Sequence, residues 1–89
     1  MVIKPTVGRV VWFWQGRPAY PEQQPQAAMI ARVWSDTCVN LAIFDPNGNP
    51  VPNPPTSIRL LQEGEELPET GHYATWMPFQ VGQARVQSK

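Results

Sequence analysis

The stretch that decides the fold is "QAAMIARVWSDTCVNLAIF", residues 26 to 44. It holds two runs of apolar and β-branched residues, Gln26–Trp34 and Cys38–Phe44, separated by the short polar segment "SDT". Two such runs joined by a tight turn predict a β-hairpin. Every second residue of the later run is a large aliphatic, so one face of that strand is expected to lie in a hydrophobic core: Val39, Leu41 and Ile43.

Three more strands are predicted from the same signals, over Thr6–Gln15, Thr56–Gln62 and the segment "HYATWM" at residues 72–77. The 11 prolines and 6 glycines fall between the apolar runs, as turn residues do. No apolar set recurs with a helical period, and Pro68 interrupts the Glu-rich segment. We therefore expect an all-β protein, a small SH3-like (Tudor-like) five-stranded barrel.

One domain is expected for a chain of 89 residues. Residues 1–80 are predicted to form the barrel, and residues 81–89 a C-terminal arm or tail, either loose or acting as an intersubunit strand. In the first strand, Val7, Val11 and Phe13 are expected to serve the core. The segment "DPNGNP" places Pro46 and Gly48 as a type I turn would use them.

Composition narrows the class of partner. Seven basic residues balance seven acidic ones, so the chain lacks the field that draws proteins to polymeric nucleic acid or to an anionic membrane. Its apolar runs are far shorter than the roughly 20 residues of a transmembrane helix, and the N-terminus does not read as a signal peptide. From these two features we expect a cytoplasmic protein. Because Cys38 is the lone cysteine, we expect no internal disulfide.

The catalytic inventory is short. His72 and Cys38 are each alone of their type, so a zinc site would need carboxylates to complete it, and a Cys38–His72 dyad has no local support. The acidic residues between Glu63 and Glu69 lack the spacing of a calcium loop and predict a solvated bend. We expect no enzyme, no cofactor and no metal.

The aromatic residues are the unusual feature, because four tryptophans occur in one small sheet. Val10, Trp12 and Trp14 are expected to face outward, with Trp34 ending the second strand and Trp76 on the fifth. These rings either pad a thin barrel or an oligomer seam, or form a stacking surface beside Arg9 and Arg32 that holds a base and a phosphate. Asn40 either reads a base edge or ribose hydroxyl, or pairs with neighbouring backbone.

The segments that begin "PTVGRVV" at Pro5, continue through the hairpin with "VNL" and "FD", and close on "TW" before Pro78 resemble a broad family of small bacteriophage proteins. This likeness covers most of residues 4–80. The family is in turn similar to the phage anti-CBASS sponge proteins, which assemble as oligomers and sequester the cyclic nucleotide signals of bacterial immunity. Here "TWMPFQ" replaces an ending in which many relatives have a second aromatic and an acidic residue around the proline.

The resemblance implies a homo-oligomeric sponge in the bacterial host cytoplasm that binds a cyclic di- or trinucleotide without cleaving it. Its ligand positions would be Trp12 and Phe13 after "VGRVV", Asn40 in the hairpin, and Trp76 near the end. The aromatic and basic residues add others, so the candidate set is Arg9, Trp12, Phe13, Trp14, Arg32, Trp34, Asn40 and Trp76. The alternatives are an SH3-like protein-interaction module that binds an extended peptide, and a minor phage structural protein with tryptophans in a permanent interface.

Overall fold

The computed structural model of the chain describes residues 2–16, 23–68, 71–78 and 80–82. It is all-β, and its strands close into a five-stranded barrel in the order β1-β2-β3-β4-β5, which confirms the predicted small SH3-like barrel. The strands are β1 Val10–Trp14, β2 Gln26–Ser35, β3 Cys38–Ile43, β4 Ile58–Leu61 and β5 Tyr73–Thr75. Closure leaves neither β1 nor β5 as a free sheet edge, because the two pair with each other.

The strands of the barrel pair in antiparallel fashion, except for β4 and β5. β2 and β3 form the predicted hairpin, and β1 pairs antiparallel with both β2 and β5. β4 and β5 are parallel, with Leu60 opposite Ala74. Parallel neighbours need a long connection, and the chain between Leu61 and Tyr73 has the length for it.

The barrel interior is filled by alternate residues of the strands. Val39, Leu41 and Ile43 of β3 are all buried as predicted, and Val11 and Phe13 of β1 face the same interior. β4 and β5 complete this core with Ile58, Leu60 and Ala74. Burial of such side chains is the main source of the barrel's stability, at about 25 cal/mol per Å² of apolar surface.

Val7 does not belong to this core, so the prediction for it is wrong. Its side chain is 68% exposed, and β1 begins at Val10 instead of Thr6. Gly8 adopts a φ of 94°, and Arg9 N donates to Thr6 O, so the chain turns here before entering the strand. Ile3, which comes earlier, occupies the core position instead.

Gln62 fastens the N-terminal segment to the end of β4. This carboxamide is 6% exposed. Its Oε1 accepts from Ile3 N at 3.0 Å, and its Nε2 donates to Ile3 O at 3.0 Å and to Asp36 O at 2.7 Å. Because donor and acceptor are both used, burial of this polar group is compensated.

The connections agree with the sequence at the turn after β3. Gly48 N donates to Asp45 O, and Asp45 Oδ1 accepts from Asn47 N and Asn49 N, which fixes the turn. After β5, Gln80 N and Val81 N donate to Met77 O in a short helical turn, and Val81 packs against the core. Residues 83–89 of the predicted C-terminal arm lie outside the described residues. Pro18 and Pro21, between the first two strands, lie outside them as well. In the described part of the chain, no helix has the length and apolarity to cross a membrane.

Candidate functional site

A β-bulge in β2 turns Arg32 and Trp34 toward the outside of the barrel. Ile30 pairs with Leu41, and Arg32 pairs with Asn40, so two residues of β2 stand opposite one of β3. Strict alternation would place Arg32 on the core side with Ile30. The extra residue, Ala31, shifts the alternation, and Arg32 and Trp34 are both exposed on the outer face.

Arg32 and Trp34 form a stacked pair with Asn40 beside them. The Arg32 guanidinium carbon lies 4.1 Å from the centroid of the Trp34 ring, and the Trp34 residue remains 52% exposed. Asn40 Oδ1 accepts from Trp34 Nε1 at 3.0 Å and from Ser57 N at 2.7 Å. We name these three residues the arginine–tryptophan surface. These interactions hold the indole in place, and Asn40 Oδ1 accepts from one side chain and from one backbone N–H.

Trp12 and Trp14 form a separate pair on the outer side of β1, where alternation predicts them. Their rings meet edge to face with centroids 6.2 Å apart, and both are half-buried. Trp14 Nε1 donates to Thr75 Oγ1 at 3.1 Å, and its ring stacks on that of Tyr73 at 6.4 Å. Trp12 also borders a shallow depression with Gln24, Pro25 and Ala27.

Arg9 and Trp76 form a third arrangement, and here the indole is interior. Trp76 is 6% exposed and belongs to the core, and it follows β5 instead of lying on the fifth strand as predicted. The Arg9 guanidinium carbon lies 5.0 Å from its ring centroid. Trp76 Nε1 is buried and has no hydrogen-bond partner among the described residues. A ring in this position is not available as a stacking surface while the barrel is folded.

Phe13 lies in the core, 4% exposed, with one edge forming the floor of a pocket. The His72 ring packs against it with centroids 5.7 Å apart and planes inclined by 39°. The pocket has a volume of about 340 Å³ and lies at the end of the barrel where β1 and β3 finish; it is lined by Phe13, Gln15, Gln26, Ile43, Val51, Pro55 and His72. We name it the glutamine pocket, because Gln15 and Gln26 supply its polar groups.

The predicted site residues therefore form separate groups and not one strip. Arg32, Trp34 and Asn40 come together, Trp12 meets Trp14, and Arg9 meets Trp76. Along β2, the stretch from Gln26 at the glutamine pocket to Arg32 spans about 20 Å of extended chain. A small ligand can occupy one of these regions but not both.

Glu65, Cys38 and His72 are described titratable groups outside the arginine–tryptophan surface. The pKa of Glu65 is lowered because its carboxylate accepts a hydrogen bond from Gln62 N and pairs with Arg59. Cys38 lies opposite Ser35 and Arg59, whereas His72 packs on Phe13 at the other end of the barrel. No group of three or more His, Cys, Asp or Glu side chains within the described ranges could hold a metal ion.

The sequence-based set did not include the glutamines of the pocket or the partners of Trp14 on β5. Gln15 and Gln26 sit at facing ends of β1 and β2, and only the register Phe13 opposite Gln26 brings them together.

Comparison of the chain with protein-family models, with curated proteins and with solved structures gives no match.

Proposed function

We propose that this chain is a phage immune-evasion protein of the sponge type, which binds a cyclic oligonucleotide or a related nucleotide second messenger and does not cleave it. The single observation that carries this proposal is the Arg32 guanidinium stacked at 4.1 Å over the exposed Trp34 indole. The resemblance of the sequence to small phage proteins supports the same function.

The stacked pair offers both chemical elements that a nucleotide requires. A guanidinium lying flat on an indole keeps its N–H donors in its own plane, where they are directed away from the ring toward solvent. In that geometry it can donate two parallel hydrogen bonds to a phosphate. None of the described carboxylates forms an ion pair with Arg32, so these donors are available to a ligand.

Trp34 supplies the surface for a base. With 52% of the residue exposed, part of the indole remains open beside the arginine. Stacking of a base on such a ring contributes about 1–3 kcal/mol. Asn40 is a positioning residue in this scheme, because its bond to Trp34 Nε1 fixes the orientation of the ring.

Two copies of the chain would match a cyclic dinucleotide, which has two phosphates and two bases. A symmetric dimer repeats Arg32 and Trp34 about its axis, so neutral net charge is no obstacle. The outward residues Val10 and Met29 are neighbours across β1 and β2, each 40% exposed. This uncharged patch gives a second copy an apolar surface to cover, and we include a homo-oligomer in the proposal.

The test is calorimetric titration of the protein with a panel of cyclic di- and trinucleotides, followed by recovery of the ligand after heat denaturation. We expect binding of at least one ligand below about ten micromolar, with the ligand recovered intact. Arg32→Gln and Trp34→Ala should weaken binding at least tenfold, while the matched charge-removing control Lys4→Gln should not. Absence of binding at tens of micromolar across the panel, or cleavage of the ligand, contradicts the proposal.

A peptide-binding module is the second candidate, and the depression beside Trp12 favours it. This depression, of about 400 Å³, is lined by Trp12, Gln24, Pro25 and Ala27, without a charged side chain. Proline-rich peptides dock in grooves lined by aromatic side chains in SH3-like barrels. Titration with a polyproline decamer, monitored through the Trp12 indole N–H resonance, separates the two functions, because the sponge predicts no shift with this peptide.

A further inference from the structure

The glutamine pocket has a fixed pattern of hydrogen-bond donors and acceptors. Gln26 Nε2 donates to the backbone oxygen of Phe44 at 3.2 Å, and Gln15 Nε2 donates to Gln26 Oε1 at 3.0 Å. A backbone carbonyl can only accept, so Gln26 must direct its amino group toward Phe44. Its oxygen then faces Gln15, which must in turn present an N–H. The orientation of both side chains thus follows from the Phe44 carbonyl.

This chain of bonds leaves one edge of Gln15 unused. Among the described residues, its Oε1 accepts no hydrogen bond, and its amino group donates one, to Gln26. The residue itself is exposed at the rim of the pocket. A carboxamide edge of this kind pairs with a ligand that carries a donor next to an acceptor, as glutamine does with adenine.

Among the described residues that line the rest of the pocket, most are apolar, and His72 is the one with an ionisable side chain. Phe13, Ile43 and Val51 form its apolar lining, and the His72 ring adds a flat wall. Its volume of about 340 Å³ lies at the lower end of the range for small-molecule sites. These features favour a small uncharged flat ring over an anion.

We propose that the glutamine pocket binds an uncharged planar heterocycle with N–H and C=O side by side, the edge that a nucleobase such as uracil presents to the Gln15 carboxamide. This pocket is distinct from the arginine–tryptophan surface and lies at the opposite end of β2, so a nucleoside without phosphate should bind it whether or not Arg32 is present.

The probe is uridine, compared with 3-methyluridine, in which a methyl group replaces the ring N–H. Both are titrated into the full chain in the millimolar range while the side-chain amide resonances of Gln15 and Gln26 are recorded. We expect uridine to shift these resonances and 3-methyluridine to bind at least tenfold more weakly. Gln15→Met, which keeps the side-chain length without the polar edge, should lower uridine affinity to the same extent. Glu66→Gln, outside the pocket, should change nothing.

Equal affinity for uridine and 3-methyluridine overturns the inference. So does a titration in which uridine shifts other resonances but not the side-chain amide resonances of Gln15 and Gln26. Arg32→Gln separates this result from the sponge proposal. Uridine binding that persists in Arg32→Gln supports the pocket even if no cyclic nucleotide binds the protein. If cyclic nucleotides bind but uridine leaves the Gln15 resonance unmoved, the pocket assignment is wrong while the sponge proposal stands.

Discussion

Two arginine–tryptophan pairs in this small barrel have similar chemistry and opposite surroundings. Arg32 lies over Trp34 on the outer face, where the Trp34 residue is 52% exposed, and Arg9 lies over Trp76, a residue that is 6% exposed. In the first pair the ring is a surface that another molecule can reach. In the second it is part of the core. The same residue types therefore have different surroundings, and a sequence motif alone does not separate the two cases.

The largest effect is expected when each tryptophan is truncated to alanine and the free energy of unfolding is measured. Trp76→Ala should lower the free energy of unfolding by about 3–5 kcal/mol, because it removes a large buried side chain and leaves a cavity. Trp34→Ala should cost less than about 1 kcal/mol, because its ring is half exposed. Chemical denaturation of both variants measures the difference, and equal stability losses would show that the two indoles do not differ in burial.

Gln62 and Gln15 offer a second comparison. The Gln62 carboxamide is buried, whereas Gln15 is exposed. Gln62→Leu should lower the free energy of unfolding by about 2–3 kcal/mol, because Ile3 and Asp36 lose hydrogen bonds in a buried setting. Gln15→Leu, at the rim of the glutamine pocket, should be close to neutral. Hydrogen exchange of the Ile3 amide provides the local readout. Unchanged protection of that amide in Gln62→Leu would mean that the N-terminal segment is held by other contacts.

The two arginines should differ in ligand binding more than in stability. We expect Arg32→Gln to weaken cyclic nucleotide binding at least tenfold, or about 1.4 kcal/mol, because it removes the charge that pairs with phosphate. Arg9→Gln should change affinity less than twofold, since its indole partner is interior. Calorimetry on the two variants decides the matter, and a larger loss for Arg9→Gln would move the site to the Trp76 end of the barrel.

Arg59 differs from Arg32 and Arg9, because it forms an ion pair with Glu65. We expect this ion pair to have the smallest effect on the free energy of unfolding. Its carboxylate partner, Glu65, has a lowered pKa, first through the hydrogen bond from Gln62 N and then through Arg59. The ionised carboxylate therefore stabilises the fold above its ordinary pKa of 4.5, and this contribution is lost as the pH falls through the lower folded value. The stability difference between wild type and Glu65→Gln should be constant from pH 7 to about 5 and shrink below pH 4. A difference independent of pH would contradict the pairing.

The sequence predicts the number and order of the strands and most of their core faces, but it does not predict all of the strand bounds. Val39, Leu41 and Ile43 alternate without interruption, and the period-two pattern of β3 therefore reads directly as burial. The same rule placed Trp12 and Trp14 outward and Val11 and Phe13 inward. The rule fails at Val7, which is exposed and not in the core, because Gly8 turns the chain before the strand begins.

The site was less predictable, for reasons that lie in register. The bulge at Ala31 sends Arg32 and Trp34 outward, and nothing in the local sequence announces it. Burial of Trp76 depends on where the chain crosses the end of the barrel after β5, and the pairing of Gln15 with Gln26 depends on how β1 meets β2. Such long-range contacts are decided by the closed sheet as a whole.

The most direct test of the central claim uses the indole N–H resonances of the four tryptophans, assigned with single Trp→Phe variants. The protein is titrated with the cyclic di- and trinucleotide panel while these resonances are recorded. We predict a saturable shift of the Trp34 signal with at least one ligand, while the Trp76 signal stays in place. A spectrum in which Trp34 is unmoved throughout, or in which Trp76 alone responds, would contradict the assignment of the arginine–tryptophan surface as the binding site.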